Sequence, residues 1–501
     1  MEIIDAEERR MWREHCAVVQ LPMRQFLDIQ NSLLFEQLEL VAESSWLSAF
    51  PKARPKSIEE FRRVAPLSRW QDYTALSQHH SPNGRVGDLH CWVQTSWCHG
   101  SWKQVPWARR FFDAQCRHII AALMMSVARF EGDVRLNKDF RVLPVLPDTP
   151  FASAWIAMGV AQRNVVSSRL APQPGDADLS MSQQLQAGLR RSLKSNVDCV
   201  VGMTSTLLLA RREFQRMVAN TNFRRLRSQA GTRAAMRWRL EKVRRLGRGK
   251  PWEPKSLLAP KSVITWGADT TFLTPTIEAQ WGAPVFQLYA SSEAGIIAMQ
   301  DWRRKALVPV PTSVFLEFLP AGAPPDNEAP VLLDQLEEGK LYEPVITSFY
   351  GMPFARLRQG DFLQVVGHNE RGVPEFQFHS RADDIIDLGS IARIDGATLA
   401  EALALVDVKD GEWLARKEYV DGQPVMCLYF ETVPENAEEL RRRLHRALGK
   451  VDHHYREASY TLGYPLLRIS PLKKETLGRP EGAMGPEKGA QAPSFAAKGN
   501  I

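Results

Sequence analysis

The chain has 501 residues, of which 44% are hydrophobic and 24% charged, with a net charge of +7. It is too long for one typical core and too apolar for a disordered chain, so roughly two to three globular domains are expected. No apolar run approaches the ~20 residues that span a bilayer, and the acidic start (Glu2, Asp5, Glu7, Glu8) lacks the basic-then-apolar order of a secretory leader. The expectation is a cytoplasmic protein with no membrane partner. The six cysteines, Cys16, Cys91, Cys98, Cys116, Cys199 and Cys427, show no paired spacing for zinc or disulfides and read as small core residues.

The first 90 residues read as helices and connections, with an apolar face at Leu33, Leu34, Leu38 and Val41 and a helix start at Ser57-Ile58-Glu59-Glu60. A Ser/Thr/Gly-containing stretch, Thr95 to Lys103, precedes a helix expected over Ala108 to Arg129. Small residues let backbone N–H groups approach phosphate oxygens, and a lysine adds a point charge. Strands are expected at Phe140 to Leu146 and at Val197 to Met203, the latter turning at Thr204-Ser205-Thr206 into a helix. Between Arg211 and Lys250 lies a dense run of arginines. With little aromatic interleaving and no zinc spacing, it reads as a solvated helical excursion and not as a nucleic-acid site.

Ser262 to Trp266 reads as a strand ending in a tight turn at Gly267. The stretch Val285 to Gly295 is the centre of the chain: an apolar strand behind Pro284, followed by Tyr289, Ala290, Ser291, Ser292 and Glu293. Ligands of open α/β sheets sit beyond the carboxyl ends of strands, where a ring, two hydroxyls and a carboxylate can hold a planar base, a phosphate and a metal. Beyond it, helices are expected at Gly396 to Leu405 and at Pro434 to Leu448, the second stopped by Gly449, with strands at Val425 to Phe430 and Leu466 to Ile469. Gly478 to Ile501 reads as a disordered tail.

Tyr289-Ala290-Ser291-Ser292-Glu293 resembles the second ATP motif of the plant auxin-responsive acyl-acid amido synthetases (the Gretchen Hagen family) of the adenylate-forming superfamily. Ala355-Arg356-Leu357-Arg358-Gln359-Gly360-Asp361 resembles the third, and Arg381-Ala382-Asp383-Asp384 the hinge, in the family's order. The resemblance implies an α/β fold: a large multi-stranded N-terminal domain over residues 1–382, a small mobile α+β domain over 383–477, and a tail over 478–501. It implies ATP and Mg²⁺ as cofactors, with a carboxylic acid and an amine as partners. Thr95, Ser96, Gly100 and Lys103 would serve the phosphates, and Tyr289, Ser291 and Ser292 the nucleotide. Glu293 would bind the metal, Asp361 and Arg381 the ribose, and Lys473 or Lys474 would assist adenylation. Trp97, His99, Met203, Thr204, Trp266 and Ala290 would border the substrate.

The loop departs from that pattern: Trp97 stands where the family has glycine, and Cys98 and His99 where it has hydroxyl residues. A tryptophan does not adopt a glycine's positive φ cheaply and would crowd a triphosphate. Three other outcomes therefore stay open: thioester formation with coenzyme A, an ATP-independent acyl transferase using Cys98 or His99, and a non-catalytic relative.

Overall fold

The computed structural model describes residues 6–42, 55–73, 89–94, 104–147, 149–170, 179–245, 251–267, 270–321, 329–381, 386–394, 396–406, 408, 413–430 and 436–471. Strands β1 (Leu89–Gln94) and β2 (Gln104–Ala108) form an antiparallel hairpin. A twelve-stranded sheet follows from β3 (Val142–Val145), β4 (Cys199–Met203), β5 (Ser262–Trp266), β6 (Val285–Ser291), β7 (Gly295–Gln300), β8 (Leu307–Pro309), β9 (Val314–Pro320), β10 (Val331–Leu332), β11 (Leu341–Ser348), β12 (Leu357–Arg358), β13 (Asp361–His368) and β14 (Pro374–Arg381). Its order is β10-β9-β11-β13-β14-β8-β7-β6-β5-β4-β3, with β12 added against β11.

The block β3 to β6 is parallel and the rest antiparallel. Parallel strands need both faces covered, and the side chains alternate accordingly. Cys199 and Val201, Ile264, and Phe286 and Leu288 join one core, which includes the helix Arg109–Val127. Val200, Val263 and Val285 join the other, under the helices Met181–Ser195, Thr204–Ala219, Phe223–Arg245 and Thr270–Trp281. The expected strands and the long helix are therefore present, for the packing reason inferred. The helix after β4 begins at Thr204 itself, one turn earlier than expected.

The described part of the arginine run falls on two helices: Arg211, Arg212 and Arg216 lie on Thr204–Ala219, and the rest on Phe223–Arg245, which is bent at Gly231 (φ 87°). Leu226, Ala230, Ala234, Ala235 and Trp238 face the second core while most of the arginines point outward, as a solvated excursion should. The five described cysteines are all buried and free.

Residues 386–471 have a core of their own. Strands β15 (Ile386–Leu388) and β16 (Ala392–Ile394) pair, and β17 (Trp413–Val420), β18 (Gln423–Phe430) and β19 (Leu467–Pro471) form a second sheet. The helices Gly396–Ala404, Ala437–Val451 and His453–Leu462 pack on them. Gly449 does not stop its helix, which runs on to Val451. The stop comes at Asp452, whose extended backbone and side chain cap the next helix by accepting the Tyr455 N–H at 2.6 Å. The expected boundary at 382/383, the expected start at Pro434 and the tail lie outside the described residues. No helix among the described residues is long and apolar enough to cross a membrane.

His118, on the helix Arg109–Val127, is buried with Nε2 2.9 Å from Thr312 Oγ1. Burial, helped by Arg117, pushes its pKa down to about 3. The unfolded chain therefore takes up a proton below about pH 6.5 that the folded chain refuses. Stability should be level above that pH and fall toward pH 3, by up to about 1.4 kcal/mol per pH unit from this group. Urea titrations from pH 7 to 4 should show that slope in the wild type and a shallower one in His118→Asn.

Candidate active site

β6 and β7 form a hairpin whose loop is Ser292-Glu293-Ala294. Gly295 closes it with φ +65°, the left-handed residue that a three-residue hairpin loop calls for. A Cβ there would lie 2.1 Å from the end of the Gln115 side chain, whose Oε1 accepts the Ile296 N–H at 2.8 Å, so any other residue would have to displace that bond as well as take up a left-handed backbone. The Ser291 hydroxyl accepts the Ala294 N–H at 3.2 Å, and Trp107 Nε1 donates to the Ser292 carbonyl at 2.8 Å. These bonds hold Glu293 at the hairpin tip, half-buried and without a hydrogen-bond or ionic partner among the described residues.

A bulge between Tyr289 and Ala290 re-aims the end of β6. Tyr289 Oη donates to Asp361 Oδ2 at 2.9 Å, and Arg381 Nη1 donates to Asp361 Oδ1 at 2.7 Å. Asp361 and Arg381 face each other across β13 and β14. Burial, with the Asp361 carboxylate beside it, raises the Tyr289 phenol well above its ordinary value, so it stays a proton donor. One strand step away, Arg358 makes a bidentate pair with buried Glu343, and the Gly360 N–H donates to the same carboxylate at 3.1 Å.

These groups line one end of a cavity of about 640 Å³. Its lining also includes the apolar Phe151, Ile156, Val160, Met203, Leu209 and Trp266, and Asp387, Ser390, Arg393, His454, Glu457 and Thr461 of the smaller unit. Of the residues singled out in the sequence, Tyr289, Ala290, Ser291, Ser292, Glu293, Asp361, Arg381, Met203 and Trp266 meet in this one cavity. Thr204 does not. Its hydroxyl lies 3.3 Å from Thr265 Oγ1 and 2.8 Å from Thr270 Oγ1, and donates to the Trp266 carbonyl at 3.2 Å, so it laces two strand–helix turns together behind the wall. Its neighbours Ser205 and Thr206 reach the cavity instead.

Thr95, Ser96, Trp97, Cys98, His99, Gly100, Lys103, Lys473 and Lys474 lie outside the described residues. The hairpin that bears the 95–103 loop is described: Gln94 pairs with Gln104 at its base, and Gln94 and Trp107 line the cavity. Sequence reasoning missed the helix Ala152–Gln162, which supplies Ile156 and Val160, and the helix His453–Leu462. The second had a readable signal in Asp452 as cap with Tyr455, Ala458 and Leu462 on one face.

The geometry offers oxygen ligands and a cation at one end and an apolar arm at the other, under a second, smaller α+β unit. This is the fold of adenylate-forming enzymes. Residues 307–381 match the GH3 family central domain. Among curated relatives, the probable indole-3-acetic acid-amido synthetase GH3.9 of Oryza sativa subsp. japonica is 31% identical over 28% of this chain and 32% of its own length. The chain spans about a third of the length of the curated relatives it matches first. The solved structure of the AtGH3.15 acyl acid amido synthetase in complex with 2,4-DB superposes with a TM-score of 0.58 at 17% identity, covering 95% of this chain and 91% of that one. That of 2-hydroxyisobutyryl-CoA ligase with 2-HIB-AMP and CoA gives 0.58 at 16%, covering 96% and 93%. At such identities the likeness concerns the fold. Together with the matched central domain, it bears out the resemblance to the acyl-acid amido synthetase family.

Gly295→Ala should cost about 2–4 kcal/mol, from the left-handed backbone and the displaced Gln115 bond. Urea unfolding of the two proteins measures it, and an unchanged midpoint would contradict the packing described.

Proposed function

We propose that this chain activates a carboxylic acid with ATP as an acyl-adenylate and passes the acyl group to an amine. The observation that carries the reading is one cavity joining an apolar arm to the Tyr289, Asp361, Arg381 and Glu293 end. The matched central domain and the activities named for the relatives agree with it.

In this reading the apolar arm takes the hydrocarbon or aryl body of the acid and leaves its carboxylate near Trp266 and Ala290. Desolvation there is offset only where the carboxylate meets the reacting phosphate, which favours the productive pose. Asp361 receives the ribose hydroxyls, held in place by Tyr289 and Arg381 before any ligand arrives. Tyr289 and Ala290 give the base a flat apolar wall. Glu293, the half-buried carboxylate with no partner among the described residues, fits a hard divalent cation, and Ser291 and Ser292 add oxygen donors. Magnesium bound there would neutralise phosphate charge.

The substrate carboxylate attacks the α-phosphorus, pyrophosphate leaves, and the acyl carbon becomes open to the amine. Thr95, Ser96, Gly100 and Lys103 on the β1–β2 loop are assigned to the phosphates, and Lys473 or Lys474 to the adenylation step. Trp97 and His99 are assigned to the substrate. Movement of the unit after residue 382, about Asp383 and Asp384, would exchange the two half-reactions. Cytoplasmic residence and the absence of nucleic-acid or membrane partners belong to the same reading.

Calorimetry with Mg-ATP on the wild type and on Asp361→Ala, alongside pyrophosphate release over a panel of aryl and alkyl acids, tests it. The wild type should bind and should release pyrophosphate only with its acid. The variant should bind about 10–150-fold more weakly, as befits loss of a charge-assisted acceptor. No binding by folded wild type would overturn adenylation. Product analysis with amines and with coenzyme A separates amide from thioester formation.

A further inference from the structure

Three residues of the helix His453–Leu462 line the cavity, and their chemistry is not used by adenylation. Tyr455, Ala458 and Leu462 bury one face of that helix in its own core. His454, Glu457 and Thr461, spaced at i, i+3 and i+7, form the adjacent stripe, and all line the cavity. The helix is held in place by Arg212 of the helix Thr204–Ala219, whose Nη1 donates to the Tyr460 carbonyl at 2.9 Å and also to that of Thr461. The chain leaves the helix through Gly463 in a left-handed conformation, and a Cβ there would collide with the Arg212 guanidinium.

His454 and Glu457 form a dyad: His454 Nδ1 lies 3.4 Å from Glu457 Oε2. The His454 side chain is 5% exposed and that of Glu457 53%, so the pair runs from the enclosed cavity to solvent. The hydrogen bond from His454 holds the Glu457 carboxyl below its ordinary range, which keeps it an anion able to orient the imidazole. In the same cavity Ser205, at the first turn of the helix Thr204–Ala219, is buried with its hydroxyl unpartnered. The other charged groups of this region, Asp387 and Arg393, are bonded to each other at 3.1 Å. The dyad is thus the one basic device in this part of the described cavity with an outlet to water.

We infer that His454, oriented by Glu457, is the base that deprotonates the amine acceptor in the amide-forming step, with Ser205 contacting the same acceptor. This rests on the adenylation reading above. An amine reaches the site as an ammonium ion and cannot attack until it loses a proton. His454 takes that proton and leaves the nitrogen its lone pair. The nitrogen adds to the acyl carbon, the bond from that carbon to the phosphate oxygen breaks, and AMP departs with the electron pair. The second nitrogen proton passes to water, while the first leaves His454 by way of Glu457 at the rim. His454 is then a catalytic residue and Glu457 a positioning residue.

The test separates the two half-reactions in the full chain. Acid-dependent pyrophosphate exchange reports adenylation, and amide formation with a saturating amine reports transfer. His454→Ala and His454→Gln should lower amide formation about a hundredfold, the scale of a lost general base, with a loss at least tenfold greater than any loss of exchange. Added imidazole should restore part of the amide rate in His454→Ala. Glu457→Gln should lose about tenfold and Glu457→Asp should recover most of it. Circular dichroism of both His454 variants identifies the one that folds.

Equal losses in both half-reactions, no rescue by imidazole, or unchanged amide formation would overturn the assignment while leaving adenylation intact. A wild type that never exchanges pyrophosphate would overturn the adenylation reading and this inference with it. His453, His454 and Glu457 also present donor atoms within 4.8 Å of one another. Amide formation lost to 1,10-phenanthroline, which spares magnesium, and restored only by zinc would overturn the proton-transfer role in favour of a metal.

Discussion

The carboxylate of Asp361, gripped from one side by Tyr289 and from the other by Arg381, constrains the whole main sheet. In strand order β6 and β13 are four steps apart, with β14, β8 and β7 between them. At about 4.8 Å per step a flat sheet would separate them by about 19 Å, beyond the reach of two side chains. The 2.9 Å bond therefore requires the sheet to curl back on itself. Along that path β14 and β8 share a single registered pair, Phe376 with Leu307. Tyr289, Asp361 and Arg381 all line the cavity. A charged acceptor with two donors is worth more than a neutral hydrogen bond, and losing one partner would leave buried charge uncompensated.

A second buried charge stabilises the far side of the curl. Arg356, left-handed at φ 47° and almost wholly buried, makes a bidentate pair with Glu317 on β9 and donates to the carbonyls of Arg62 and Ala65 at 2.7 Å. Arg62 joins the same carboxylate at 2.9 Å. The short helix Ile58–Val64, capped by Ser57, is thereby fixed to the antiparallel half of the sheet. Within the stretch 355–361, alternate arginines do different work. Arg356 ties the scaffold, while Arg358 faces the cavity, and Asp361 closes it.

How much of this was readable follows from the physics of each part. The parallel strands announced themselves as short apolar runs because both their faces are buried, and Ser57 and Gly267 marked a cap and a turn through local chemistry. The grouping of Tyr289, Asp361 and Arg381 was legible only through resemblance, since nothing in residues 72 positions apart says that a sheet will curl. Thr204 was misplaced because a hydroxyl at a strand–helix turn looks the same whether it faces a ligand or laces the wall. Gly449 was misread because a glycine within a helix is tolerated when Leu440, Leu444 and Leu448 pack well enough. The helix His453–Leu462 was overlooked although Asp452 and the face of Tyr455, Ala458 and Leu462 carry its signal, because only one stripe of so short a helix is apolar.

Arg212 holds the C-terminal unit by carbonyl groups and not by side chains. The residues whose backbone it grips are therefore chemically silent at that contact: Tyr460 is 77% exposed and its ring plays no part in the grip. At this contact the information lies in one guanidinium and in the missing side chain of Gly463 that leaves room for it, while Phe272 and Tyr419 stack at 3.7 Å elsewhere between the two units. A latch written this way is tolerant of surface change on the docked helix and intolerant at two positions. The outward face of that helix, Glu457 excepted, can accordingly be recoded, for solubility or for attachment of a reporter, without touching this grip.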